Sequence, residues 1–126
     1  MANMITSTDY SKNQKQILIG QESYYIALPV RVSGTAGATL YAGQPVKGDI
    51  TARDTAFTVP TAESDGTYKA NGIILHDVVL DSDGKGNATL VLAGCVDLLK
   101  LESSVQTIIG KTTGVDRIIF VKGSAI

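Results

Sequence analysis

The strongest constraint on the fold is a pair of apolar segments, residues 72–80 and 88–98, joined by the turn sequence at 81–87. Gly84 and Gly86 supply the permissive backbone that a hairpin loop requires, so the pattern predicts two antiparallel strands. The second segment is apolar at nearly every position. Both of its faces therefore need covering, and we expect the core to cover one face and another subunit to cover the other.

Length and composition predict one β-rich domain. A chain of 126 residues is long enough for a single core. It has 13 glycines, 6% aromatic residues and no tryptophan, which favours short strands joined by tight turns. We expect a mainly β fold, a small barrel-like or sandwich-like domain at residues 17–126 with one short helix near the C-terminus.

Residues 24–32 give the clearest strand pattern outside the hairpin. Apolar and other side chains alternate there with a period of two, which places one set in the core. That set is Tyr24, Ile26, Leu28, Val30 and Val32. Because Pro29 cannot donate to a ladder, this strand should lie at a sheet edge or pair on one side only at that point. Shorter strands are predicted at 39–41, 45–50, 56–59 and 117–122.

A short helix is predicted after the hairpin because the apolar residues follow a helical spacing. These residues are Leu98, Leu101, Val105, Ile108 and Ile109. Ser103 and Gln106 match a capping box, and Gly110 is placed to end the helix in a left-handed conformation.

The first 16 residues are polar, with Met4 and Ile5 as their only sizeable aliphatic side chains. Burial of so little apolar surface cannot offset the loss of conformational entropy, which predicts a flexible arm at 1–16. The arm also lacks the apolar stretch of a signal peptide, and no apolar run is long enough to span a bilayer. We therefore expect a soluble protein made in the cytoplasm, without a membrane partner.

The charges disfavour nucleic acid as a partner. Eleven basic and twelve acidic residues give a net charge of −1, and no stretch concentrates lysine and arginine as a phosphate-tracking surface would. Cys95 is the single cysteine, which excludes an intrachain disulfide.

The reactive side chains do not form a catalytic pattern. His76 is the only histidine, and on a strand the adjacent Asp77 would point to the opposite face, so we expect a partly buried structural histidine that makes one hydrogen bond. Cys95 lies among small apolar residues, as a buried and unreactive cysteine does. We predict no catalytic residue and no cofactor.

The acidic turn resembles a calcium loop only superficially. Asp81, Asp83 and Asn87 have suitable oxygen atoms, but Lys85 occupies the fifth position and Leu92 the twelfth, where an EF-hand needs a carboxylate. Asp, Asn and Gly favour turns for backbone reasons alone. We therefore predict a hairpin turn and no metal site.

At the hairpin the sequence resembles a known family. Residues 72–78 read GIILHDV, residues 88–94 read ATLVLAG and residues 96–101 read VDLLKL, separated by an Asp/Gly turn. This arrangement is similar to the head decoration proteins of the phage lambda type and to the base domains of related head-fibre proteins. The similarity is strongest over residues 70–101, and the closing helix and strand follow in the same order.

The resemblance implies a structural virion protein and no enzyme. Such a protein would form homotrimers on the outer surface of the expanded capsid and stabilise the shell, with the major capsid protein of a tailed phage as its partner. The resemblance also implies that the arm becomes ordered on the capsid. The arm residues that would bind there are Met4, Ile5, Thr6 and Tyr10. The resemblance does not indicate which residues form the trimer interface.

Two other classes of protein fit some of these features. A small β-barrel carrier of the hammerhead type would need a modified lysine at a hairpin tip, and Lys85 is the only lysine at a predicted tip, although its neighbours do not match. A trimeric β-rich enzyme, such as a nucleotide hydrolase, would need carboxylates clustered around a metal and a Gly-rich nucleotide loop. The acidic residues lie mostly in separate turns.

Overall fold

A computed structural model describes residues 17–19 and 25–122, which form mainly strands. The strands are β1 (Ile26–Ser33), β2 (Thr39–Leu40), β3 (Pro45–Val46), β4 (Phe57–Thr58), β5 (Tyr68–Lys69), β6 (Gly72–Ile74), β7 (Val78–Val79), β8 (Lys85–Asp97), β9 (Thr112–Thr113) and β10 (Ile118–Val121). A 3-10 helix (Leu98–Lys100) and one α-helix, α1 (Ser103–Ile109), lie between β8 and β9. The predicted class, mainly β with a short helix near the C-terminus, is confirmed.

The main sheet is built around the long strand β8. Its order is β3-β6-β8-β1-β4, and β10 also pairs with β8. Lys47, which follows β3, and Thr58 of β4 form one isolated antiparallel bridge, where both N–H···O distances are 2.9 Å. Because β3 and β4 form no continuous ladder, the sheets are not closed into a barrel. Two small sheets, β2–β7 and β5–β9, complete the strand pairing, and the short strands β5 and β9 were not predicted.

Two hydrophobic clusters cover the two faces of the main sheet. The helix-side cluster includes Val105 and Ile109 of α1 together with Val91 of β8. The Phe57 cluster includes Phe57 of β4 together with Leu90 of β8. Because adjacent residues on a strand point to opposite faces, Leu90 and Val91 enter different clusters, and neither side chain is exposed. At Leu90 and Val91 the chain itself therefore covers both faces of β8, whereas another subunit was expected to cover one of them.

The predicted hairpin forms, but its first strand is shorter than expected. β6 pairs antiparallel with β8, with Ile73 opposite Val91, and the chain then bends at 75–76 and continues as β7, which pairs with β2. The Asp77 carboxylate accepts a hydrogen bond from the N–H of Ala42 at 2.8 Å, which holds the bend against the β2 side of the molecule. The joining turn is also tighter than predicted, because β8 already begins at Lys85.

β1 confirms one prediction about Pro29 and corrects another about the core face. Pro29 pairs with Thr89 of β8, whereas β4 pairs only with Val32 and Ser33, so Pro29 has a strand partner on one side only. Val30 and Val32 are buried as predicted. Ile26 is 53% exposed, because the register with β8 shifts between Ile26 and Ala27 and the alternation is broken there. Tyr24 lies outside the described residues.

The helical region is divided where one continuous helix face was predicted. Leu101 is extended (φ −90, ψ 153) and separates the 3-10 helix from α1. The predicted capping box is wrong, because Glu102 is the N-cap residue and the Gln106 side chain donates to the Leu101 carbonyl at 2.9 Å. Gly110 is right-handed (φ −60, ψ −17), not left-handed. Val105 and Ile109 are buried as expected, whereas Ile108 is only half-buried.

Within residues 17–19 and 25–122, no helix is long and apolar enough to cross a membrane.

Candidate functional site

The predicted arm, residues 1–16, lies outside the described residues, and with it the predicted capsid-binding residues Met4, Ile5, Thr6 and Tyr10. The first described residues, 17–19, pair with the end of β8. Asp97 donates its N–H to the Ile17 carbonyl at 2.9 Å, and Ile19 donates to the Cys95 carbonyl at 2.8 Å. Ile17 has no exposed side-chain surface. The chain is therefore firmly fixed to the sheet at the position where the predicted arm ends.

His76 and Asp77 do not form a catalytic pair. His76 lies in the bend after β6 and Asp77 directly follows it, so the prediction that they sit on opposite faces of a strand does not apply. His76 is partly buried, as expected. Its Nδ1 atom, however, is buried without a hydrogen-bond partner among the described residues, so the predicted hydrogen bond is not formed at this atom. The Asp77 carboxylate instead holds the Ala42 N–H.

The acidic turn is stabilised by its own backbone. The Asp81 carboxylate accepts hydrogen bonds from the N–H of Lys85 at 3.0 Å and of Asp83 at 2.8 Å. These two bonds, that of Lys85 first, favour the charged carboxylate and lower the pKa of Asp81 below its ordinary value of 3.8. Within the described part of the chain, no group of three or more His, Cys, Asp or Glu side chains could hold a metal ion.

Two other exposed turns use the same arrangement. The Asp49 carboxylate accepts from the Thr51 hydroxyl at 2.5 Å and from the Thr51 N–H at 2.8 Å. The Asp65 carboxylate accepts from the hydroxyl and N–H of Thr67 at 2.6 and 3.1 Å. In both cases the hydroxyl is the larger cause of a lowered carboxyl pKa, followed by the N–H. These aspartates act as turn formers.

Lys85 is not at the tip of the hairpin. It is the first residue of β8 and pairs with Ser33 of β1, whereas the turn itself is closed between Asp81 and Gly84. An open groove beside it is lined by charges of both signs, with Lys85 and Arg31 facing Asp54 and Asp81. The lysine position that the carrier alternative requires is therefore not formed.

Three neighbouring strands expose an apolar row that sequence reasoning missed. Ile19, Cys95 and Ile119 are aligned across residues 17–19, β8 and β10, because Ile119 pairs with Cys95 and Ile19 lies opposite it. Their neighbours Leu18, Val96 and Ile118 belong to the helix-side cluster, so the row points away from that cluster. Ile19 is 40% and Ile119 63% exposed, and Cys95 is only partly buried. We call these three residues the Ile119 row.

Other exposed apolar side chains are scattered. Val79, which is 70% exposed, and Tyr41 lie at the small β2–β7 sheet, and Leu99 projects from the 3-10 helix. Isolated apolar side chains on a surface are common and need no functional explanation. The Ile119 row differs because its members are adjacent across paired strands.

Comparison of the chain with protein-family models, with curated proteins and with solved structures found no significant match.

Proposed function

We propose that this chain is a structural virion protein that binds the outer surface of an expanded phage capsid as a homotrimer and stabilises the shell. The observation that carries the proposal is the position of the segment that resembles the decoration proteins. Residues 70–101 include β6 and all of β8, and β8 pairs with β1, β6 and β10. The segment that resembles the decoration proteins therefore includes the strand around which the sheet is built, as expected if this chain shares the architecture of that family.

The attachment of residues 17–19 supports a role for the preceding segment in capsid binding. Because Ile17 is buried and its carbonyl is bonded to Asp97, a segment that begins there starts from a fixed point on the sheet. Thirteen positions separate Met4 from Ile17, and an extended chain spans at most about 3.3–3.6 Å per residue, so Met4 can reach roughly 45 Å. Strand addition to an exposed sheet edge gains affinity mainly from main-chain hydrogen bonds, which suits a polar segment.

The first experiment measures oligomeric state and head binding with the purified full chain. Analytical ultracentrifugation should give a trimer, and co-sedimentation should show binding to expanded but not to unexpanded heads of the phage that encodes it. A monomer that binds neither kind of head would refute the proposal.

A second experiment assigns the binding to the arm. Deletion of residues 1–15 should leave urea unfolding of the domain unchanged and abolish binding to expanded heads. Serine at Met4, Ile5, Thr6 and Tyr10 should weaken binding strongly, whereas serine at Lys12, Asn13, Gln14 and Lys15 is the matched control and should not. Undiminished occupancy after the deletion would show that the arm does not bind the capsid.

A further inference from the structure

β10 has a free edge in the described part of the molecule. It pairs in parallel with β8, from Ile118 opposite Gly94 to Val121 opposite Asp97. No other strand of residues 17–19 and 25–122 lies against its second side. An edge strand presents a row of backbone donors and acceptors that another extended chain can use.

The outward groups of this edge can be identified from the ladder. Gly94 donates its N–H to the Arg117 carbonyl at 3.2 Å, and a parallel ladder alternates along the strand, so Ile119 is bonded to β8 and Phe120 faces outward. The Ile118 N–H is already bonded to the Val115 carbonyl at 3.0 Å. The Ile118 carbonyl and both backbone groups of Phe120 therefore point away from β8 and have no partner among the described residues.

An exposed apolar side chain, that of Ile119, lies at this edge. The Ile119 row ends at Ile119, the side chain of which is 63% exposed at the open side of the sheet. A strand added beside β10 would place a side chain directly next to Ile119, and such cross-strand pairs are the contacts that stabilise sheets. The row would then continue over a fourth strand.

The charges at the ends of β10 define the chemistry of the partner. Arg117 and Lys122 flank the strand, and both are exposed. Asp116 lies in the same turn, closed between Val115 and Ile118, but of these two turn residues Arg117 is the one that joins the ladder, through its carbonyl bonded to the Gly94 N–H. Antiparallel pairing of two β10 strands would bring Arg117 near Lys122 of the other copy, and like charges opposite each other are destabilising. Charge complementarity thus favours a partner strand flanked by carboxylates over a second copy.

We propose that the outer edge of β10 binds an extended segment of another protein by strand addition, and that this segment carries alternating aliphatic residues flanked by Asp or Glu. The inference goes beyond the proposed function and does not depend on it, because it involves none of residues 1–16.

The test uses the full chain and two synthetic peptides, Asp-Val-Thr-Val-Thr-Glu and Lys-Val-Thr-Val-Thr-Lys, with binding measured by fluorescence anisotropy. The acidic peptide should bind about tenfold more tightly at low salt, and the preference should shrink as salt is added. The double substitution Arg117→Glu and Lys122→Glu should reverse the preference. Lys47→Glu with Lys111→Glu changes the net charge equally at exposed lysines elsewhere and should leave the preference intact.

Backbone methylation separates strand addition from simple charge attraction. Alternate N–H groups of a strand point to opposite edges, so N-methylation of the valines blocks one edge of the peptide and N-methylation of the threonines blocks the other. One of the two methylated acidic peptides should lose binding and the other should keep it. Equal binding of both methylated peptides, or a preference that survives the Arg117 and Lys122 reversal, would overturn the proposal. So would an oligomer that dissociates on Ile119→Lys and excludes the peptide, because a second copy would then occupy the edge.

Discussion

The two halves of β8, which reads KGNATLVLAGCVD, differ in their surroundings. In the first half, β1 pairs with residues 85–91 and β6 pairs with Leu90 and Val91, the side chains of which are buried in clusters on opposite faces. From Gly94 to Asp97 it lies between residues 17–19 and β10, and the helix-side cluster covers one face while the Ile119 row occupies the other. Leu90 and Val91 thus bring core packing to both faces of the first half, whereas the second half has core on one face and surface on the other.

This difference separates stability from recognition. Leu90 and Val91 in the first half are enclosed by the chain itself, so their side chains contribute mainly to the free energy of unfolding. The second half leaves an apolar row and an unpaired strand edge on the described surface, which are features that contact partners. Substitutions should therefore affect unfolding in the first half and binding in the second.

Leu90→Ala should have the largest effect on stability. Leu90 is completely buried in the Phe57 cluster, and loss of a buried leucine side chain costs about 2–5 kcal/mol through lost burial and a residual cavity. Urea unfolding measures this change. Leu99→Ala is the matched control, because Leu99 is 59% exposed and its loss should change the unfolding free energy by no more than about 0.5 kcal/mol. Similar losses at both positions would contradict the enclosed first half.

Gly84→Ala should come next, because this glycine closes the turn that leads into the first half. Gly84 and Gly37 share a φ of +75, but a Cβ on Gly84 would press on the Gly34 carbonyl, whereas one on Gly37 would meet nothing within 4 Å. We expect a loss of about 1–2 kcal/mol for Gly37→Ala, from backbone conformation alone, and of about 2–4 kcal/mol for Gly84→Ala. Equal thermal unfolding shifts for the two variants would show that the Gly34 contact is unimportant.

Asp81→Asn should change the acid sensitivity of unfolding by a smaller amount. The folded-state pKa of Asp81 is lowered, so its charged form stabilises the fold fully above the ordinary value of 3.8, and this contribution is lost as the pH falls through the lowered pKa. The variant should therefore have a shallower decline in stability below about pH 4. Asp65→Asn, in a separate turn, should flatten the decline independently. Unchanged slopes in urea unfolding at several pH values would contradict this role.

Ile119→Ala should have the smallest effect on stability. Its side chain is 63% exposed in the second half, so the free energy of unfolding should change by no more than about 0.5 kcal/mol. Binding of the acid-flanked peptide should nevertheless weaken. A large loss of stability with unchanged peptide binding would mean that this row belongs to the core.

Local patterns predicted the elements better than their ends. The alternation over 24–32 corresponds to a strand because a period of two reflects strand geometry, and the apolar runs at 88–98 and 117–122 each contain a strand, as short buried strands do. The capping box at Ser103 failed because Glu102 is the N-cap residue, and the Gln106 amide donates to the Leu101 carbonyl instead of accepting from the Ser103 N–H. The break between β6 and β7 depends on Asp77 binding the backbone of Ala42, 35 residues away.

The candidate surface was only partly visible in the sequence. In β10, all four residues, Ile118–Val121, are apolar, so the sequence indicates a strand but not which of its faces is covered. The pairing of Ile119 with Cys95 and Ile19 could not be predicted, because these residues are distant along the chain.

The sequence by itself determined the β-rich class, the hairpin around Asp81–Gly84 and the position of a helix before the last strand, because these depend on local periodicity and turn chemistry. Only the tertiary structure decided which apolar residues are buried. β8 carries apolar residues in both halves, and Leu90 in its first half is enclosed because β1, β4 and β6 place the Phe57 cluster against it. Its second half remains accessible because β10 and residues 17–19 extend the sheet there while the described chain covers only one face.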